Sequence, residues 1–229
     1  MQIVEWIRKE VKKAGAKGVV VGMSGGLDSS VTAVLCKLAF PEESLGLIMP
    51  YMSDPKDLEH AALVAKKFKI KTKVIELTPV YEKMIESLGG NGIAAANLKA
   101  RLRMAVLYYF ANKLRYLVAG TGNKSELSVG YFTKYGDGGC DILPIGGLLK
   151  TQVKKLAKRL GIPEEIIQKA PSAGLWRGQT DESELGVTYE QLDGFLSTGK
   201  GSTKIKRRIK ELIRKSEHKR RLPAVCLKK

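Results

Sequence analysis

Val19-Val20-Val21 runs into Gly22-Met23-Ser24-Gly25-Gly26-Leu27-Asp28-Ser29-Ser30 and then into Val31-Thr32-Ala33-Val34-Leu35-Cys36. A β-branched run, a turn of small residues and an apolar continuation predict a strand, a tight turn and a helix N-terminus. That combination is an anion site: small residues let backbone N–H groups approach phosphate oxygens, and the helix dipole favours negative charge. Ser24, Ser29 and Ser30 add hydroxyl donors. The turn lacks GxxxxGK[ST], carries no lysine and does not read GxGxxG, which disfavours kinase and GTPase chemistry. Asp28 beside a phosphate is repulsive unless a divalent cation lies between them, so its placement argues for Mg²⁺.

Outward from that turn, strand-like runs alternate with helix-like ones. Strands are predicted over 18–21, 44–49, 73–77 and 115–119, and helices over 2–14, 29–39, 55–68, 95–114, 150–160, 189–196 and 204–215. The alternation predicts an α/β fold: a doubly wound, mostly parallel sheet with helices on both faces, ending in a basic helical C-terminal tail. In the helix over 95–114, Leu98, Leu102, Ala105, Val106 and Tyr109 recur at helical spacing and read as core. His60 falls on the wet side of the amphipathic helix over 55–68. The Gly-rich stretch 120–147 is too long for an ordinary connection and reads as functional. The polar segment 171–188 reads as a mobile loop. No repeat or low-complexity segment divides the chain, which reads as one domain over 1–229 with a basic segment over 197–229.

The 229 residues are 44 % apolar, enough for a normal core and against disorder. The longest apolar run, Met104 to Ala111, falls short of the roughly 18 residues of a membrane span. The N-terminal stretch has no apolar signal region. Cys36, Cys140 and Cys226 are odd in number and lack CxxC spacing, which predicts reduced thiols and a cytoplasmic protein. The formal charge of +17 is uneven: Phe195 to Lys229 holds 13 Lys and Arg against Glu211 and Glu217. Such a segment can attract nucleic acid or a smaller polyanion, or simply present a solvated helix face. Without an aromatic residue after Phe195 it lacks base-stacking platforms, which weighs against nucleic acid.

The turn Gly22 to Ser29 resembles the SGGxDS motif of the PP-loop ATP pyrophosphatases. In that superfamily the loop grips the β- and γ-phosphates as a leaving pyrophosphate. A second block reads Gly120-Thr121-Gly122-Asn123-Lys124-Ser125-Glu126, then Gly130-Tyr131-Phe132-Thr133-Lys134-Tyr135-Gly136-Asp137-Gly138-Gly139-Cys140-Asp141. With Asn97 to Met104, Lys150, Ala170 to Ala173, Asp181 to Gly186 and His218-Lys219-Arg220, it is similar to the NAD synthetases over nearly the whole chain and in the same order.

The resemblance implies that Gly22, Met23, Ser24, Gly25, Gly26, Leu27, Asp28 and Ser29 hold ATP, together with Thr121, Lys150 and Ser172. Asp28 and Glu126 then bind Mg²⁺, while Arg101, Lys134, Asp141, His218 and Lys219 contact deamido-NAD. The physical chemistry is compatible. Two carboxylates suit a hard, oxygen-loving ion, and Lys150 at a helix start needs an anion nearby to offset its unfavourable place in the dipole. Taken singly, Glu126 reads as a solvated helix residue, Arg101 as a surface ion pair worth under about 1 kcal/mol, and His218 and Lys219 as exposed basic side chains.

The implied reaction is adenylation of the deamido-NAD carboxylate by ATP, then attack by ammonia to give NAD and AMP. Catalysis falls to Asp28, Lys150 and Asp141, the last either as proton acceptor or as a positioning group. Glutamine-dependent members of the family add an N-terminal amidohydrolase domain; with the loop beginning at Gly22 none is expected here, so free ammonia, or ammonia from a separate glutaminase, is the expected donor. The family also implies a homodimer. Ser172 stands where threonine is common, and Pro50-Tyr51-Met52-Ser53 departs from the usual adenine-contacting sequence. The rivals are a tRNA-modifying PP-loop ligase and a nucleotide-binding module without turnover.

Overall fold

In the strand that carries the loop, side chains alternate between two cores: Val19 and Val21 enter one hydrophobic cluster and Val20 the other. Burial on both faces is what a β-branched run without polar alternation demands. The computed structural model describes residues 1–51, 53–172 and 180–226. The described elements are α1 (Gln2–Lys13), β1 (Gly18–Gly22), α2 (Leu27–Ala39), β2 (Ser44–Ile48), α3 (Pro55–Lys67), β3 (Thr72–Val74), α4 (Thr78–Leu88), α5 (Gly92–Leu114) and β4 (Tyr116–Ala119). They continue with α6 (Lys124–Val129), α7 (Lys150–Leu160), α8 (Glu164–Gln168), α9 (Asp181–Leu185), α10 (Tyr189–Thr198) and α11 (Thr203–Lys215), followed by a 3₁₀ turn at Glu217–Lys219.

The sheet is parallel in the order β3-β2-β1-β4. Residues from α1, α2, α3, α7 and α8 form the core on one face with Val19, Val21 and Ile48. On the other face Val20, Leu45, Leu47 and Val118 meet Leu102, Val106, Leu107, Phe110 and Ala111 of α5. After β1 the chain moves to β2 and β3 on one side and returns through α4 and α5 to β4 on the other. The carboxyl ends of β1 and β4 therefore flank a topological switch point, where open α/β sheets place their ligands.

The doubly wound reading holds, with local differences. β3 starts earlier and is shorter than the run predicted over 73–77. The chain nevertheless stays beside β2, because Ile75 N–H donates to Ile48 O and Leu77 N–H to Pro50 O, at 2.9 and 3.0 Å. Sequence reading missed α4, and α5 begins at Gly92 rather than at 95. The stretch 120–147 contains α6, and the predicted loop over 171–188 contains α9 and reaches Tyr189 at the start of α10. Positions 173–179 of that loop lie outside the described residues. His60 is not on a wet face: its side chain is only 13 % exposed and its Nε2 lies 3.8 Å from Glu165 on α8.

The basic C-terminal segment is not an appended tail. Ser202 caps α11 by accepting from Ile205 N–H, and α11 buries Ile209 completely. With Ile205, Leu212 and Ile213 it joins a third cluster built from α6, α9 and α10. Lys204, Arg207, Lys210, Arg214 and Lys215 are exposed, as amphipathic patterning requires, whereas Arg208 turns onto α9 and donates to Leu185 O and Glu184 O at 2.8 and 3.2 Å. Ile209→Ala should therefore cost about 2–5 kcal/mol of unfolding free energy, as a buried large-to-small change does. Lys204→Ala should stay within about 0.5 kcal/mol. Urea denaturation of both variants checks this, and equal, negligible effects would mean that the segment is not integral to the fold.

Candidate active site

The loop takes its shape from its own hydroxyls. Met23 N–H extends the sheet by donating to Leu47 O at 2.8 Å. Ser24 N–H donates to Ser29 Oγ at 3.2 Å, and the two serine hydroxyls lie 3.0 Å apart. Ser29 and Ser30 both donate to Gly26 O, at 3.0 and 2.7 Å. Gly26 is the N-cap of α2 and supplies no side-chain cap, so the first-turn N–H groups of α2 are available to an anion. Gly25 turns away from the cleft. It has φ +76°, and a Cβ there would come within 2.1 Å of Asp57 O, so the first turn of α3 packs directly on the loop backbone.

Three elements converge at the foot of this loop. Asn123 and Glu126 form a reciprocal capping box at the start of α6: Glu126 N–H donates to Asn123 Oδ1 at 3.0 Å, and Asn123 N–H to Glu126 Oε2 at 3.3 Å. The free amide of Asn123 donates to Asp28 Oδ1 at 3.0 Å. Lys150, the first residue of α7, places its ammonium against Asp28 Oδ2 and 3.2 Å from Glu126 Oε1. One cation thus joins carboxylates from α2 and α6. Tyr189 completes the cluster, with its hydroxyl 2.9 Å from Asp181 Oδ2 and 3.3 Å from Glu126 Oε1, and its ring centroid 4.9 Å from the ammonium.

The electrostatics follow from burial. Burial pushes the Glu126 carboxyl up to about 7, with Asp28 and Asp181 adding to the rise and Lys150 opposing it. Burial alone would lower Lys150, but Asp28 and Glu126 more than reverse that and hold it firmly protonated. Asp181 is raised by burial against the pull of Lys150, and its Oδ1 is buried without a hydrogen-bond partner among the described residues. Among the described residues no three His, Cys, Asp or Glu side chains are grouped as a closed metal site, but the two carboxylates and the orphaned Asp181 oxygen are hard oxygen donors of the kind that suits a cation keeping most of its waters.

Of the residues singled out from the sequence, Gly22, Met23, Ser24, Gly26, Leu27, Asp28, Ser29, Thr121, Glu126, Lys150, Ser172 and Lys219 line one cleft of about 1240 Å³. Arg101, Lys134, His218 and Asp141 do not line it. The first three form a chain of contacts: Arg101 Nη2 donates to Lys134 O at 3.4 Å, and Lys134 Nζ to His218 O at 2.8 Å. Lys219 joins the same region by donating to Gly130 O and Phe132 O, at 2.9 and 2.8 Å. Asp141 is tied elsewhere: Oδ1 accepts from Tyr108 OH at 2.9 Å and Oδ2 from Val118 N–H at 2.7 Å, which links α5 to β4.

Sequence reasoning missed Asn123, Asp181 and Tyr189 as individual site residues. Asn123-x-x-Glu126 was legible as a capping box. The convergence of Tyr189 and Asp181 on Glu126 was not, because those residues come from α9 and α10, far along the chain.

A parallel sheet with a serine- and glycine-rich anion loop at its switch point, and a carboxylate–lysine cluster below that loop, defines a nucleotide-binding α/β protein of the PP-loop type. The NAD synthase family model matches residues 1–223, and the chain belongs to that family. It is 52 % identical to the NH(3)-dependent NAD(+) synthetase of Carboxydothermus hydrogenoformans, over 98 % of this chain and 95 % of that protein. Among solved structures, it is similar to an NMN synthetase from Francisella tularensis, with TM-score 0.94, 39 % identity and coverage of 98 % and 95 %. It is also similar to an NH3-dependent NAD synthetase from Campylobacter jejuni, with TM-score 0.83, 32 % identity and coverage of 99 % and 96 %.

The packing of α3 on the loop makes Gly25 a sensitive position. Gly25→Ala should weaken ATP binding at least about tenfold, because a Cβ at this φ is strained and collides with backbone. Calorimetric titration with ATP checks this, and unchanged affinity would show that the loop can shift freely against α3.

Proposed function

We propose that this chain is an ATP-dependent ligase that amidates the nicotinate carboxylate of deamido-NAD with ammonia, giving NAD, AMP and pyrophosphate. The observation that carries this is the cluster of Asp28, Glu126 and Lys150 at the foot of the anion loop, within a chain of this family. In the first step a carboxylate oxygen attacks the α-phosphorus of ATP, and the bond from that phosphorus to the pyrophosphate breaks. Ammonia then attacks the activated carbonyl, the bond to AMP breaks, and the nitrogen sheds a proton.

The loop amides and the N-terminus of α2 bind the departing phosphates, and Lys150 neutralises the charge that grows on them, all preorganised before reaction. Thr121 and Ser172 contribute hydroxyls along the same cleft. Asp28 and Glu126 would hold Mg²⁺, which supplies charge neutralisation to the pyrophosphate leaving group. Arg101, Lys134, His218 and Lys219 form the basic region assigned to the dinucleotide. Asp141, bonded to Tyr108 and Val118, is assigned to positioning in preference to proton transfer.

The pure protein with Mg-ATP, deamido-NAD and ammonium should yield equimolar NAD, AMP and pyrophosphate. EDTA, Asp28→Ala and Glu126→Ala should each reduce turnover by at least about 10²-fold. Glutamine should not replace ammonium unless a separate glutaminase is added. AMP release that depends on added tRNA, or tight ATP binding without AMP, would sink this assignment in favour of one of its rivals.

A second reading comes from the very close overlay on the NMN synthetase structure: the acceptor is the carboxylic acid corresponding to NMN. Measuring kcat/KM for both acids decides. A ratio above about ten in favour of deamido-NAD supports the first reading, and the reverse supports the second.

We further propose a homodimer that pairs through α4, where Val80, Met84 and Leu88 recur at one-turn spacing and are 51, 36 and 66 % exposed. Sedimentation should give twice the 25.1 kDa chain mass, and Met84→Asp with Leu88→Lys should give the single mass. A fully active monomer at assay concentration argues against the dimer. No described helix is long and apolar enough to cross a membrane. The cysteines are free, with burial pushing the Cys36 thiol up to about 12, and we assign the protein to the cytoplasm.

A further inference from the structure

Lys150 opens α7, and α7 begins on Leu149, which has no capping group of its own. Helices normally satisfy their first N–H groups with a Ser, Thr, Asp or Asn at this point. Here Gln152 of α7 itself accepts from Leu149 N–H at 2.8 Å, while the N–H groups of Lys150 and Thr151 find their partners on other helices. Lys150 N–H donates to Ser125 Oγ of α6 at 2.9 Å, and Thr151 N–H to Asp193 Oδ2 of α10 at 2.8 Å. Ser125 Oγ in turn donates to Asp193 Oδ1. Ser125 is fully buried and Asp193 is 4 % exposed. Among the described residues no lysine, arginine or histidine pairs with Asp193. A buried carboxylate without a counter-ion is costly unless hydrogen bonds compensate it, and here the compensation is the N-terminus of α7.

Both ends of Lys150 are gripped by the same two helices. From α6, Ser125 takes the backbone N–H while its neighbour Glu126 takes the ammonium. From α10, Asp193 is bonded to Ser125 and to the next N–H, and Tyr189, one helical turn away on the same face, lies under the ammonium. Lysine has a flexible four-carbon stem and is poorly placed by one contact.

We propose that Asp193, acting through Ser125, is a positioning residue for Lys150. It sets the start of α7 so that one ammonium reaches both Asp28 and Glu126. This rests on the ligase reading above, in which Lys150 meets charge that grows in the transition state. A misplaced lysine then affects kcat more than substrate binding.

The test is a double-mutant cycle in the complete protein, with pyrophosphate release as readout and thermal unfolding as a control on folding. Asp193→Asn keeps the side-chain shape and should lower kcat by about 10²-fold, the scale of a small misplacement of a catalytic group, with the KM for ATP within about threefold of wild type. Ser125→Ala, which removes only the bridging hydroxyl, should lower kcat about tenfold and serves in its place if Asp193→Asn does not fold. In a Lys150→Met background either change should add less than about twofold, because nothing remains to position. A general structural role would instead cost the same in both backgrounds, which overturns the proposal, as does wild-type kcat in both single variants. A wild-type protein that releases no pyrophosphate overturns the ligase reading and the proposal with it. An active wild type with additive variants overturns the proposal alone.

Discussion

A single ammonium between two largely buried carboxylates organises this molecule. Lys150 lies about one-tenth exposed between Asp28 and Glu126 and so ties together α2, α6 and α7, which are remote in sequence. Taking three charges out of water is expensive, and Coulomb attraction repays it only with good geometry and additional hydrogen bonds. Those bonds are present: Asn123 donates to Asp28, the capping box supports Glu126, and Tyr189 closes the far side. Removing one partner of such a set characteristically costs about 3–5 kcal/mol, whereas replacing the whole set with apolar residues can be neutral. The cluster is therefore weak evidence for stability and strong evidence for chemistry.

The sheet makes that cluster possible. β1 and β4 are neighbours, yet the chain leaves them in opposite directions, so the turn after β1 and the segment after β4 face each other across the switch point. The first supplies the anion loop and Asp28, the second supplies Thr121, Asn123 and Glu126. The third hydrophobic cluster, from α6, α9, α10 and α11, then backs the site. This gives the C-terminal helix a structural task beyond its charge: Ile209 is buried in the cluster that holds the helix bearing Tyr189 and Asp193.

Much of this was legible before any coordinates. The glycine- and serine-rich loop and the alternating α/β pattern follow from local chemistry, and the strand-to-turn-to-helix order needs only a dozen residues. What failed locally did so for physical reasons. Thr78 to Leu88 was not seen as a helix because Pro79 and the following Gly89-Gly90 look like turn punctuation, whereas proline in the first turn and a left-handed glycine at the end are helix boundaries. His60 looked solvated because its helix is amphipathic, while its actual neighbour, Glu165, lies on a helix a hundred residues away. Asp141 accepts from Tyr108 OH and Val118 N–H, contacts that arise from the packing of α5 against β4 and have no signature in the local sequence.

The sequence by itself determined the chemistry within reach of one turn: which groups can bind phosphate, which can bind a hard cation, and that a parallel sheet carries them. Backbone propensity and local hydrogen bonding settle those matters over a few residues. Only the tertiary structure decided which carboxylates share Lys150, that Tyr189 and Asp193 support it, and that Asp141 and Arg101 lie outside the cleft. Those outcomes depend on how helices from different parts of the chain pack over the sheet, and the burial that packing creates sets whether a charge is a solvated ornament or part of a site.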